Sequence, residues 1–161
     1  MTDMASFSEM GQQDSAQDIY QQQMDTVSRA LLARDLETVL RHMGFPNVME
    51  VEEGEVTINS EDEMRACLEA QISSMRRMRI TEYHRICLEA EFRDPLGTEI
   101  EGRHVSHFLS GGGHAMPPYQ SRMTLRLSSE GVWQSTSLRS ALRNRDLTVL
   151  CPYVAATGRS A

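Results

Sequence analysis

Two of the five histidines, His84 and His104, are the residues best suited to chemistry, because alternating runs in the second half of the chain put both on one face of a hairpin. An imidazole with a pKa of about 6.5 offers both its protonated and its neutral form near neutral pH, the requirement for general acid and base work. In that role one histidine removes a proton from a substrate while the other donates to an oxygen. A four-residue offset along the hairpin separates the two by roughly 13 Å at about 3.3 Å per residue, too far for a dyad or a shared metal. They can only flank a ligand. The plainer alternative is that each is a polar side chain satisfied by a neighbour or by water. Glu82, two residues before His84 on the same face, is either its partner or a group at an open rim.

Around this pair the expected ligand-contacting residues are Ser106 and Phe108 on the His104 strand, Met123 on the next hairpin, and Tyr20, whose hydroxyl either reaches the interior or packs. Arg139, expected inward opposite Ser121, either binds an acidic ligand or is solvated. His104 and His107 have a His-x-x-His spacing, but a three-residue step on a strand sends them to opposite faces, so chelation is not expected. Gly111, Gly112 and Gly113 precede no Gly-Lys-Ser or Gly-Lys-Thr and open no helix, so they read as a strand connection and not a phosphate loop. Neither metal nor cofactor is expected.

The elements that position these residues follow from periodicity. From Asp14, apolar Tyr20, Met24, Val27 and Leu31 recur at helical spacing, and Asp35 caps a second helix with Leu36, Val39, Leu40 and Met43 inward, ended by Gly44 and Pro46. Two short strands, 47–51 and 55–58, flank a Glu-Glu-Gly turn. Ser60 caps a third helix whose stripe is Met64, Cys67, Leu68, Ile72 and Met75, with Arg76, Arg77 and Arg79 at its negative end. The strand run 80–92 turns at Asp94-Pro95-Leu96-Gly97, which fixes a register. Phe92 then opposes Ile100, Ala90 opposes Gly102, Leu88 opposes His104, Ile86 opposes Ser106 and His84 opposes Phe108 on the core side. Tyr83, Arg85, Cys87 and Glu89 fall on the outer side, opposite Leu109, His107, Val105 and Arg103. Ser128-Ser129-Glu130-Gly131 starts a second hairpin, pairing Leu127 with Trp133, Leu125 with Ser135, Met123 with Ser137 and Ser121 with Arg139.

Composition bounds the partners. The chain has 161 residues and 40% hydrophobic content, enough for one core. With 16 basic and 23 acidic residues the net charge is −7, which argues against nucleic acid and anionic lipid as partners. No run approaches the roughly 20 apolar residues of a membrane span. Cys67, Cys87 and Cys151 are odd in number and without Cys-x-x-Cys, the pattern of reduced thiols, and a cytoplasmic location is expected. The expected division is a disordered tail over 1–13, one domain over 14–145 and a C-terminal extension over 146–161, whose run 147–154 is expected to extend a contact surface.

This order of elements, with the Ala33-Arg34-Asp35-Leu36 break and the Glu130-Gly131-Val132-Trp133 turn, resembles the SnoaL-like branch of the nuclear transport factor 2-like superfamily over about Tyr20 to Leu142. The resemblance implies an α+β cone in which a curved antiparallel sheet wraps three N-terminal helices around an internal pocket, with an outer face that often forms a homodimer. His84 and His104 are similar in placement to the inward histidines of scytalone dehydratase-like members. Those members carry a tyrosine and an aspartate where this chain has Leu31 and Leu32, and another tyrosine where it has Val51. The expected functions are therefore a cofactor-independent lyase or isomerase acting on a small apolar, cyclic or polyketide-like molecule, or a non-catalytic binding or assembly subunit. In the latter, Tyr83, Cys87, Val105 and Leu109 on the outer face make the contact.

Overall fold

Ser15 starts the first helix, α1 (Ala16–Leu32): its hydroxyl accepts the Asp18 N–H at 3.1 Å, and the helix buries Tyr20, Met24, Val27 and Leu31 along one stripe. A computed structural model describes residues 14–148 of the chain. After a left-handed Arg34, the Asp35 carboxylate accepts the Thr38 N–H and caps α2 (Leu36–Arg41), which buries Val39 and Leu40. Met43, expected on the inner face of this helix, opens strand β1 (Met43–Val51) instead. The sheet captures the chain early, since the Gln134 side chain donates to the Arg41 carbonyl and the Ser135 N–H to the His42 carbonyl. A hairpin leads to β2 (Gly54–Ile58). Helix α3 (Glu61–Arg77) is capped by Ser60, whose hydroxyl accepts the Glu63 N–H, while the Glu63 carboxylate accepts the Asn59 N–H. Met64, Cys67, Leu68 and Met75 are buried as the stripe predicts, with Gln71 and Ser74 beside them.

The rest is sheet: β3 (Glu82–Phe92), β4 (Glu99–Ser110), β5 (Gly113–His114), β6 (Tyr119–Leu127) and β7 (Trp133–Ser140). The strand order is β2-β1-β7-β6-β4-β3, with β5 added to β4. Every pairing is antiparallel except β1 with β7, which is parallel and joins the N-terminal hairpin to the C-terminal strand. The helices pack against one face of this curved sheet, giving the expected α+β cone with one parallel pairing in its sheet. Leu147, expected on a surface extension, is fully buried in the main core cluster, while 149–154 of that run and the tail 1–13 lie outside the described residues.

Both hairpins keep the expected register near their turns and lose it further out. Phe92 pairs with Ile100, Ala90 with Gly102 and Glu89 with Arg103, but Cys87 then pairs with His104. Leu88 is an extra residue in β3, a bulge, and because side chains alternate with period two it turns the distal half of the strand over. Tyr83, Arg85 and Cys87 therefore face the helices, while His84, Ile86 and Leu88 face outward, Ile86 and Leu88 at 50% and 45% exposure. The same happens in β7. Leu125 pairs with Ser135, yet Thr124 pairs with Ser137, leaving Thr136 extra, so Met123 meets Leu138 and Ser121 meets Ser140.

Gln21 of α1 fixes the turned-over part of β3. β3 is an edge strand, and the Gln21 side chain donates to the Arg85 carbonyl at 2.7 Å and accepts the Cys87 N–H at 2.8 Å. One amide side chain thus takes the place of a neighbouring strand beside the bulge.

Candidate ligand cavity

Turning β3 over brings a charge into the core. Arg85 is 6% exposed, its Nε donates to Ser28 Oγ at 2.8 Å and its Nη2 to the Met24 carbonyl at 3.2 Å, both on α1. The guanidinium also lies over the Tyr83 ring, 5.2 Å from its centroid. Tyr83 in turn stacks on Phe108 at 4.1 Å, and Phe108 on Tyr119, so an aromatic column backs the arginine. Among the described residues no carboxylate forms an ion pair with Arg85.

Arg85 lines a small cavity of about 40 Å³ between the helices and the sheet, whose apolar walls include four methionines, Met43, Met49, Met64 and Met123, beside Val27, Leu31, Leu68 and Leu138. Gln23 lines it too; its Nε2 donates to the His42 carbonyl, and its Oε1 is buried with no protein partner. A second cavity of about 20 Å³ shares the walls Met49, Gln71, Tyr83 and Leu138. The larger concavity, about 990 Å³, is an open cleft between α1 and the turns around Leu96 and Val132; neither Arg85 nor His104 lines it. The Arg85 cavity, small but charged, is the better candidate.

His104 is the inward histidine that sequence predicted, and it is 1% exposed. Its Nδ1 lies 2.6 Å from the Tyr20 hydroxyl, with the rings tilted at 56°. Burial, and secondarily the positive charge of Arg85, pushes the imidazole pKa down to about 3, while burial pushes the Tyr20 phenol up. Both groups are neutral at physiological pH and tied to one another.

His84 is corrected: the Leu88 bulge places it on the outer face, opposite His107, with Nε2 2.9 Å from the Glu82 carboxylate and its side chain 53% exposed. Glu82 is its partner there, outside the cone. Arg139, expected inward, is likewise turned out by the Thr136 bulge and forms ion pairs with Glu50 and Glu55. Ser106 and Phe108 do point inward; Ser106 hydrogen-bonds the Tyr119 hydroxyl and Phe108 sits in the aromatic column. Of the expected ligand contacts, Met123 alone is among the residues that line the cavity. Tyr83 and Cys87, expected on an outer contact surface, lie on the inner side of the strand. Arg85 was missed by sequence reasoning, because unbroken alternation puts Ile86, Leu88 and Ala90 together on the core face and Arg85 on the other, and no local residue marks the bulge that parts Ile86 and Leu88 from Ala90.

The fold is the cone seen in solved structures of nuclear transport factor 2-like proteins. An NTF2-like protein of unknown function from Shewanella oneidensis has 13% identity over 78% of this chain and 98% of its own, with a TM-score of 0.59. A domain of unknown function with a cystatin-like fold from Nostoc punctiforme has 12% identity over 82% of this chain and 80% of its own, with a TM-score of 0.62. An NTF2-like protein with a cystatin-like fold from Novosphingobium aromaticivorans has 14% identity, covers 98% of this chain and 95% of its own, and gives 0.59. At these identities the likeness establishes the fold, and fold alone does not carry function. No family profile and no curated protein matches the sequence. Among the described residues, no helix is long and apolar enough to cross a membrane, and no three His, Cys, Asp or Glu side chains gather as metal ligands.

Proposed function

We propose that this protein binds a small molecule inside the cone and performs no acid-base step through His84 and His104. The observation that carries the reading is the small cavity lined by four methionines and one buried guanidinium. Methionine has three flexible bonds and a polarizable sulfur, so Met43, Met49, Met64 and Met123 can repack around a guest at little expense. Size limits the guest. An apolar cavity of about 150 Å³ accepts one benzene, so about 40 Å³ receives a ring only after the methionines move. A polyketide-like substrate of several rings is therefore a poor fit.

The lyase or isomerase reading implied by the SnoaL-like resemblance requires two histidines facing one ligand. His84 is outside, and an imidazole with a pKa near 3 is too weak a base to abstract a carbon-bound proton. Native mass spectrometry of the protein purified from its producing cells tests the binding reading: a bound small mass that leaves on denaturation is expected, and the bare chain mass alone would sink it.

The second reading, an assembly subunit or homodimer, is favoured by Ile86 and Leu88, which the bulge exposes side by side with His84 and His107 on the outer face. Light scattering at micromolar concentration checks it, with a dimer expected and a strict monomer contradicting it. The acidic net charge is in keeping with partners other than nucleic acid or membrane, and the Cys67 and Cys87 thiols with a cytoplasmic setting.

A further inference from the structure

We infer that the ligand of this cavity is a small carboxylate and that Arg85 is the residue that holds its negative end; the inference rests on reading the cone as a binding cavity. Arg85 is the one charged residue lining that cavity, and its partners on the protein are a hydroxyl, a carbonyl and an aromatic face, all neutral. A guanidinium has five N–H donors in a planar fork and keeps its proton at any physiological pH. Two of its nitrogens are engaged, Nε and Nη2, and no carboxylate among the described residues neutralises the charge.

The surroundings reinforce the sign. His104, whose imidazole feels the Arg85 charge, is held neutral by burial, and Glu50 at the adjoining cavity is already paired with Arg139. The interior thus carries an uncompensated positive charge inside a chain whose net charge is −7. Gln23 Oε1, a buried acceptor with no protein partner on the wall of the same cavity, cannot bond an ionised carboxylate, which only accepts, and is matched by a hydrogen-bond donor elsewhere on the ligand or by water. A guanidinium fork accepts a carboxylate through two parallel hydrogen bonds, and in a low-dielectric site such charge-assisted bonds are the strong ones. The methionine walls match the apolar remainder of such a ligand. Arg85 fixes α1 to β3 as well, but that role is satisfied by Ser28 and the Met24 carbonyl and explains neither the missing counter-charge nor the cavity beside it.

Calorimetric titration of the whole chain with butyrate and benzoate, each against its neutral amide, butyramide and benzamide, tests this. The acids are expected to bind about tenfold or more tightly than the amides. The Arg85 Nε–H resonance should move with butyrate and stay in place with butyramide. Arg85→Met should lose the preference for acids, and Arg85→Lys should keep part of it. Equal binding of acid and amide would overturn the carboxylate assignment while leaving the cavity reading intact. Binding of none of the four would overturn both. A preference for acids with the Arg85 resonance unmoved would place the anion elsewhere and overturn the assignment without any variant having to fold.

Discussion

The Tyr20 hydroxyl and His104 Nδ1, 84 residues apart in sequence, meet at 2.6 Å in the core and bind α1 to the middle of β4. This bond accounts for the most buried histidine of the fold without invoking catalysis. Tyr20→Phe keeps the ring and its packing but leaves the imidazole nitrogen with no partner where water cannot replace it. A buried polar group so orphaned costs about 1–3 kcal/mol. Urea unfolding should show a lower midpoint at unchanged slope.

The same histidine makes stability depend on pH. Its pKa is about 3 in the folded protein against an ordinary value of about 6.5. Between those values the unfolded chain takes up a proton that the folded chain does not, so stability is full above 6.5 and falls as pH drops toward 3. By linkage the loss from pH 7 to pH 5 is about 2 kcal/mol. Unfolding curves of the wild type and His104→Gln at both pH values should differ by that much in their pH response.

Gly102 is required by Tyr20. Any Cβ there would come within 2.7 Å of ring carbons Cδ2 and Cζ of Tyr20, a contact that forces the ring or the strand to move. Overpacking of this kind costs about 1–3 kcal/mol. Gly102→Ala should lower the thermal midpoint, whereas Gly113→Ala, where a Cβ meets nothing within 4 Å, should leave it nearly unchanged.

Gln21 holds the strand beside the bulge, so Gln21→Leu leaves the Arg85 carbonyl and the Cys87 N–H without their side-chain partner. The expected loss is about 1–3 kcal/mol. Amide hydrogen exchange should quicken at Cys87 more than at Ala90, which lies beyond the bulge.

The legible parts of this fold are those governed by local chemistry. The stripe Tyr20, Met24, Val27 and Leu31, the caps Asp35 and Ser60, and the two glycine-containing turns each announce themselves within a few residues. The bulges do not. Leu88 and Thr136 are ordinary strand residues with no glycine or proline to mark them, and what stabilises the first is an amide from a helix 66 residues away from Cys87. Each inserted residue reverses everything beyond it, so the Leu88 bulge turns His84 out and Arg85 in, and the Thr136 bulge turns Arg139 out. The parallel pairing of β1 with β7 was equally hidden, because it depends on closure of the whole sheet.

A crystal structure of the protein isolated directly from its producing cells is the decisive measurement. Electron density for a small molecule is expected within the methionine-lined cavity, with an acidic group against the Arg85 guanidinium and His104 still bonded to Tyr20. A cavity holding only side chains and water, or a bound molecule in the open cleft beside Trp133 with Arg85 untouched, would contradict this expectation.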